Sequence, residues 1–283
     1  MKTKVVTHAG AAHADEVLSI ALIMIRENLQ WEDLDLVRVI DGRARDWPDA
    51  NFVVDVGRDY DPRRKWFDHH QFPREAAPAC SFTLVAKYYK IDLNTLFWSR
   101  KLAVVDSKGP MAWVQELIGR RPLDNKEFST LFGESDSFMA YLGDVASLDF
   151  RKGVELGKDW LALKLKQATE RKAALETANG IMKVIDLGNG TKMAWFDTRD
   201  MAGVIQASSG ASDRDPDVVV SAMRDDRGSG YAAYRIDDDE RVDFCLVKDQ
   251  KGCLFAHNSG FCMKFEDNWD GFLDAVKRSI KGE

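Results

Sequence analysis

Trp66-Phe67-Asp68-His69-His70-Gln71 holds two of the five histidines in a chain of 283 residues. His8 and His13 lie in Val5-Val6-Thr7-His8-Ala9-Gly10-Ala11-Ala12-His13-Ala14-Asp15-Glu16, and His257 lies in Cys253-Leu254-Phe255-Ala256-His257-Asn258-Ser259-Gly260-Phe261. Each cluster adjoins an apolar segment, whereas histidines used as surface filler would scatter. A single histidine at a strand end is ordinarily a cap or a satisfied core hydrogen bond. Three clusters, two of them beside carboxylates, point to a site.

Outward from this stretch the chain alternates strand and helix patterns. Lys4 to Thr7 reads as a first strand, followed by the small-residue loop from His8 to His13. An amphipathic helix then runs to about Glu27, with Asp15 and Glu16 at the end where the helix dipole favours acid. Leu36 to Ile40 and Phe52 to Val56 read as strands, and Lys65 to Phe67 leads as a short strand into Asp68. Phe82 to Tyr89 reads as helix. Phe97 to Val105 is an apolar run ending at Asp106-Ser107-Lys108-Gly109, read as another element with polar residues at its end. The pattern suggests an open α/β sheet, in which ligands gather at the carboxyl ends of the strands.

Residues 111 to 178 are mostly helical in pattern, with a long helix from Asp159 to Glu176 ending at Asn179-Gly180. A domain boundary is placed there, giving residues 1–180 and 181–283. In the second part, residues 182–187, 192–196, 218–223, 231–236 and 243–247 read as strands and residues 269–280 as a final helix. Asn189-Gly190 marks one hairpin and residues 224–230 another.

Composition narrows the function. The chain is 45% hydrophobic and 30% charged, as expected of a protein with a sizeable core. The apolar run Val17 to Ile25 falls short of the roughly 20 residues of a membrane span. The residues before it do not resemble a signal peptide, so a cytoplasmic protein with no membrane partner is expected. Cys80, Cys245, Cys253 and Cys262 form no Cys-x-x-Cys pair, which argues for reduced thiols and against a zinc ribbon. Net charge is −6, with 14 basic against 19 acidic residues from position 181 onward. Long duplex nucleic acid calls for a basic stripe, so short oligonucleotides or mononucleotides fit better.

His8, His13, Asp15, Asp55 and His69 mix imidazole and carboxylate ligands, which suits Mn²⁺, Fe²⁺, Co²⁺ or Zn²⁺ better than Ca²⁺. Aspartates at two different strand ends could bridge two ions roughly 3.5–4 Å apart, the arrangement that activates water for in-line phosphoryl displacement. His70 would then be free to meet a substrate oxygen. The chain has no His-Asp dipeptide, no His-Glu-x-x-His and no Walker-type loop, which sets aside three competing hydrolase classes.

These residues bring the chain close to a known family. It resembles the DHH phosphoesterase superfamily, named for its Asp-His-His trio. His8, His13 and Asp15 match motif I, Asp55 in Val53-Val54-Asp55-Val56-Gly57 matches motif II, and Asp68-His69-His70 is motif III. Asp106 matches motif IV, with Asp144 in Leu142-Gly143-Asp144 as its rival. The melanocyte-proliferating-gene branch shares the opening from Thr7 to Glu16. It also shares Asp55-Val56-Gly57, Tyr60-Asp61-Pro62, Phe67 to Gln71, and the late residues Phe255, His257, Gly260 and Phe261. Residues 111–180 are not matched.

The resemblance implies an N-terminal catalytic domain with an open, mainly parallel sheet and flanking helices, and a smaller α/β C-terminal domain. His8, His13, Asp15, Asp55, His69 and Asp106 would hold two divalent ions, with Mn²⁺ expected, and Asp55 and Asp106 would bridge them. Asp68 would orient a histidine, and His70 would assist catalysis. The second domain would present His257, Asn258, Ser259 and Gly260 to phosphate. The implied activity is 3′-to-5′ exonuclease or phosphodiesterase action on short RNA by a two-metal-activated water. A small-ester phosphatase or pyrophosphatase, or a non-catalytic nucleotide-binding protein, is the alternative, and a homodimer is one admissible assembly.

Lesser features have plainer readings. Arg58, Arg63, Arg64 and Lys65 either receive phosphates of a longer substrate or form a solvated loop. Arg224 and Arg227 read as an exposed turn, Trp195-Phe196 as core in preference to a base-stacking pair, and Asp237 to Glu240 as an acidic turn without calcium-loop spacing.

Overall fold

The computed structural model describes residues 2–73, 75–96, 98–118 and 138–281. The chain divides into two compact units, Met1–Ala168 and Thr169–Glu283. The portion of the expected helical region between 119 and 137 lies outside the described residues.

The first unit is built on a five-stranded sheet of order β2-β1-β3-β5-β4. β1 (Thr3–His8) pairs in parallel with β2 (Leu34–Val39) and with β3 (Phe52–Val54), and β3 pairs in parallel with β5 (Trp66–Phe67). Only β4 (Tyr60–Asp61) runs antiparallel, against β5. The expected open, mainly parallel sheet is therefore present. Val5, Val6, Val53, Val54 and Phe67 are fully buried, as befits parallel strands covered on both faces.

Helices complete the layers. α1 (Ala14–Arg26) buries every residue from Asp15 to Met24, and its core is shared with α2 (Ser81–Tyr88) and α3 (Trp98–Lys108). α4 (Pro110–Ile118), α5 (Phe138–Leu148) and the 32-residue α6 (Phe150–Ile181) follow. The run before Asp106 is thus a helix and carries Asp106 in its last turn. Its apolar residues Leu102 and Ala103 join the core while Arg100 stays exposed, a helical and not an alternating pattern.

The second unit is a six-stranded sheet of order β10-β11-β9-β8-β7-β6. β6 (Met182–Gly188) and β7 (Thr191–Phe196) form a hairpin. Its turn puts Asn189 at φ 52° and Gly190 at φ 66°, the two left-handed positions for which an Asn-Gly pair is suited. α7 (Val204–Arg214) makes the crossover from β7 to its parallel neighbour β8 (Val218–Arg224). β9 (Tyr231–Arg235), β10 (Cys253–Ala256), β11 (Cys262–Phe265) and α8 (Trp269–Arg278) close the unit.

Alternate residues of this sheet feed two cores. Met193 and Trp195 pack with Phe272, while Ala194 and Phe196 pack with Val204 and Ala207. Trp195-Phe196 is core, as expected. The expected strand at 243–247 is instead a 3₁₀ turn, Phe244–Val247, because the Asp243 carboxylate accepts the Cys245 N–H at 2.9 Å and closes the backbone locally.

Candidate metal centre

Three parallel strands end side by side, and each ends on a site residue. β1 ends on His8, β3 is followed by Asp55, and β5 by Asp68, His69 and His70. The register Val6↔Val53 and Val54↔Phe67 sets these ends level, at the carboxyl edge of the sheet. Asp55 has φ 57°, a left-handed conformation that Asp tolerates better than most residues. Gly57 has φ 102°, and a Cβ there would lie 2.7 Å from the Ala44 nitrogen, so this approach requires glycine.

Helices bring the rest. Asp15 enters from the first turn of α1 and Asp106 from the last turn of α3. Three groups have ligand atoms within 4.8 Å of one another: His8, His13 and Asp55; Asp55, His69 and His70; and His13, Asp15 and Asp106. Every residue expected to hold metal falls in at least one of them, and Asp55 and His13 each belong to two. Asp144 is exposed on α5 and belongs to none of these groups.

The geometry is that of donors converging on a shared point. His69 Nε2 lies 2.8 Å from Asp106 Oδ2 and 3.3 Å from Asp55 Oδ1, and His8 Nε2 lies 3.2 Å from Asp55 Oδ2. Yet His8 Nε2, His69 Nε2, Asp15 Oδ1, Asp55 Oδ1 and Asp106 Oδ2 are buried without a hydrogen-bond partner. Buried polar atoms are nearly always satisfied, so five orphans in one cluster require an explanation. A divalent cation supplies it, and the imidazole–carboxylate donor set suits one.

The electrostatics agree. Burial, then the neighbouring Asp55 and Asp106 carboxylates, push the Asp15 carboxyl well above its ordinary range. Burial also opposes ionisation of Asp55, but His69 and His8 outweigh it and hold the group at about 2. The Asp55 and Glu16 carboxylates lift His8 to about 11. His69 is lifted to about 10, since Asp106 and Asp55 overcome the cost of burial. Protons on these rings stand where a cation would neutralise the same carboxylates.

A surrounding layer orients the donors. Asp68 Oδ1 lies 2.6 Å from His70 Nδ1, fixing that ring, and Asp68 also accepts the Arg58 N–H at 2.7 Å. The histidine that Asp68 contacts is His70. Three supporting residues were not singled out in the sequence. Ser81 Oγ donates to Asp15 at 2.5 Å. Glu16 is wholly buried, accepts from Thr7 Oγ1 at 2.8 Å and from the His13 N–H at 3.1 Å, and lies 3.1 Å from His8 Nε2. Arg38 donates to the His8 carbonyl at 3.0 Å and to Glu16 at 3.3 Å. For Glu16 the signal was available, as the third residue after His13 in a capping box.

His257 lies in the second unit, between β10 and β11. The Ser259 N–H donates to its Nδ1 at 3.2 Å, which leaves Nε2 to carry the hydrogen in the neutral ring. His257, Asn258 and Ser259 are exposed, while Gly260 is buried at φ 70° against Asp243. Among the flanking cations, Arg64 sits over Trp66 at 4.9 Å and Lys65 over Phe52 at 4.4 Å, and Arg58, Arg63 and Arg64 are all exposed. Arg224 is not in a turn but is the half-buried last residue of β8, paired with Asp197 at 2.6 Å, while Arg227 is exposed in the turn that follows. The four cysteines are free thiols. No helix among the described residues is long and apolar enough to cross a membrane.

Residues 4–93 match the MYG1 exonuclease family model, described as uncharacterised protein family UPF0160. The MYG1 protein of Saccharomyces cerevisiae is 42% identical over 71 residues, 25% of this chain and 20% of the yeast protein. The human MYG1 exonuclease is 42% identical over 65 residues, 23% of this chain and 16% of the human protein. The matched stretches thus span a small part of these relatives' length. Among solved structures, the DHH domain of a member of a ribosomal-protein family aligns over 99% of this chain and 88% of its own, with TM-score 0.35 and 12% identity, too loose an overlap to build on. Residues 4–93, with the Asp68-His69-His70 trio within them, are therefore the part of the chain that is similar to the MYG1 family.

Proposed function

We propose that this protein is a divalent-metal-dependent phosphodiesterase that shortens RNA oligonucleotides from the 3′ end. The observation that carries the reading is the convergence of five buried, unpartnered donor atoms at the carboxyl edge of a parallel sheet. The name of the human relative, an exonuclease, supports a nucleic-acid substrate.

His8, His13, Asp15, Asp55, His69 and Asp106 would hold two ions, with Asp55 shared between them and Mn²⁺ the expected metal. When bound, such ions neutralise phosphate charge and lower the pKa of water. The remaining steps belong to the chain. Asp68 accepts from His70 Nδ1 and raises the pKa of this half-exposed ring, and the protonated ring then has an Nε2–H to donate to a phosphate oxygen. Glu16 and Arg38 hold His8 and its loop in place. The second unit would supply the Nε2–H of His257, with Asn258, Ser259 and the Gly260 backbone, as the phosphate-holding part. The free thiols suit a reducing compartment, in line with a cytoplasmic location.

The reading is tested with a short end-labelled RNA in Mn²⁺. A ladder shortening from the 3′ end, absent in His69→Ala, is expected. Intact RNA would contradict it. A second reading, hydrolysis of a small nucleotide or pyrophosphate, is favoured by the net charge of −6, which gives a long polyanion little overall attraction. Faster turnover of mononucleotide esters than of the oligonucleotide would select it.

A further inference from the structure

A cavity of about 170 Å³ opens beside the cluster in the first unit. His69, His70 and Asp106 line one side, Phe72, Pro73, Ala76, Ala77 and Ala79 form an apolar wall, and Lys108 completes the lining. Its size is informative, because an apolar cavity of about 150 Å³ holds one benzene ring. The space therefore matches a single six-membered ring more closely than a two-ring base.

Lys108 is the second observation. It is half-buried, two residues beyond Asp106, and has no ion-pair or hydrogen-bond partner among the described residues. Lysine is seldom withdrawn from water without a counter-charge. Here the cation borders an apolar wall on one side and a cluster built for phosphate on the other. Ser107, between Asp106 and Lys108, turns its hydroxyl back to the Ala103 carbonyl at 2.5 Å and so leaves the polar side of the cavity to Lys108 and His70.

We infer that this cavity is a nucleoside subsite selective for single-ring bases, with the base against Phe72 and Ala76 and the Lys108 ammonium on the attached phosphate. The inference rests on the phosphodiesterase reading and adds a base preference to it. Terminal pyrimidine nucleotides are then removed faster than purine ones.

The test is calorimetric binding of uridine, UMP and AMP to the full chain in Mn²⁺, which reads the subsite without turnover. UMP is expected to bind more tightly than AMP. Lys108→Met should weaken UMP by about tenfold, the scale of one charge-assisted contact, and leave uridine unaffected. Ala76→Leu should weaken both uridine and UMP. Phe72→Leu serves the same purpose if Ala76→Leu fails to fold, as judged by circular dichroism. Equal binding of UMP and AMP overturns the inference. So does UMP affinity within about twofold of wild type in both variants, which would leave Lys108 as a helix-end charge complementing the dipole of α3. RNA shortening with base-blind binding would leave the phosphodiesterase reading standing and remove the subsite. The expected binding pattern without RNA shortening would do the reverse.

Discussion

His69 Nε2 and Asp106 Oδ2 stand 2.8 Å apart. One comes from the end of β5 and the other from the last turn of α3, so two separate elements point their polar atoms at the same space. The arrangement makes sense with a cation between them, and Asp55 stands in the same relation to His8 and His69.

Asp55→Asn tests that sharing. The amide preserves shape and removes the charge common to two donor groups. Removing a shared metal ligand is expected to lower RNA hydrolysis by at least about a thousandfold, or roughly 4 kcal/mol of barrier. Mn²⁺ should raise the melting temperature of the wild type, because ligands stabilise the state that binds them, and leave the variant unmoved. Equal thermal shifts in the two proteins would remove Asp55 from the site.

Metal binding should be linked to protons. His8 at about 11 and His69 at about 10 both carry protons at neutral pH in the metal-free protein. A metal ligand must be the neutral ring, so loading releases about two protons per chain near pH 7. The sign follows: both values are raised, so affinity falls as pH is lowered and rises toward pH 10. Titration of Mn²⁺ into weakly buffered protein reads the release directly. Uptake of protons, or none exchanged, would contradict the assigned donors.

Arg38→Met should uncouple the supporting layer. The guanidinium holds the His8 and Gly10 carbonyls, pairs with the buried Glu16 carboxylate and lies 4.1 Å over the Phe150 ring. Its loss leaves a buried charge short of its partner, at a cost of about 3 kcal/mol. Metal affinity should drop about tenfold or more, as for other outer-layer changes. Arg38→Lys should restore the charge but not the fork, and so rescue only part of the affinity. Urea midpoints and Mn²⁺ titrations of the three proteins check this, and unchanged metal affinity in Arg38→Met would refute the positioning role.

Much of the cluster was legible because it sits where short apolar strands stop. Val5-Val6 before His8, Val53-Val54 before Asp55 and Phe67 before Asp68 are local signals, and a parallel sheet turns them into neighbours. Asp106 was found as a residue while its element stayed unassigned, because an apolar run such as Leu102 to Val105 fits buried strand and helix alike. Ser81 and Arg38 were not legible. Their partners Asp15 and Glu16 lie 66 and 22 positions away, and only the assembled fold brings them together. In the second unit, α7 went unread because Ser208, Ser209 and Gly210 dilute its apolar face, though Val204, Ala207 and Ala211 are buried.

The most direct measurement is anomalous scattering from crystals of the full chain grown with Mn²⁺. The account predicts two peaks inside the cluster, with Asp55 oxygens coordinating both. A protein that binds no Mn²⁺ there, or holds it only at surface carboxylates, would contradict the central claim that these buried donors form a metal centre.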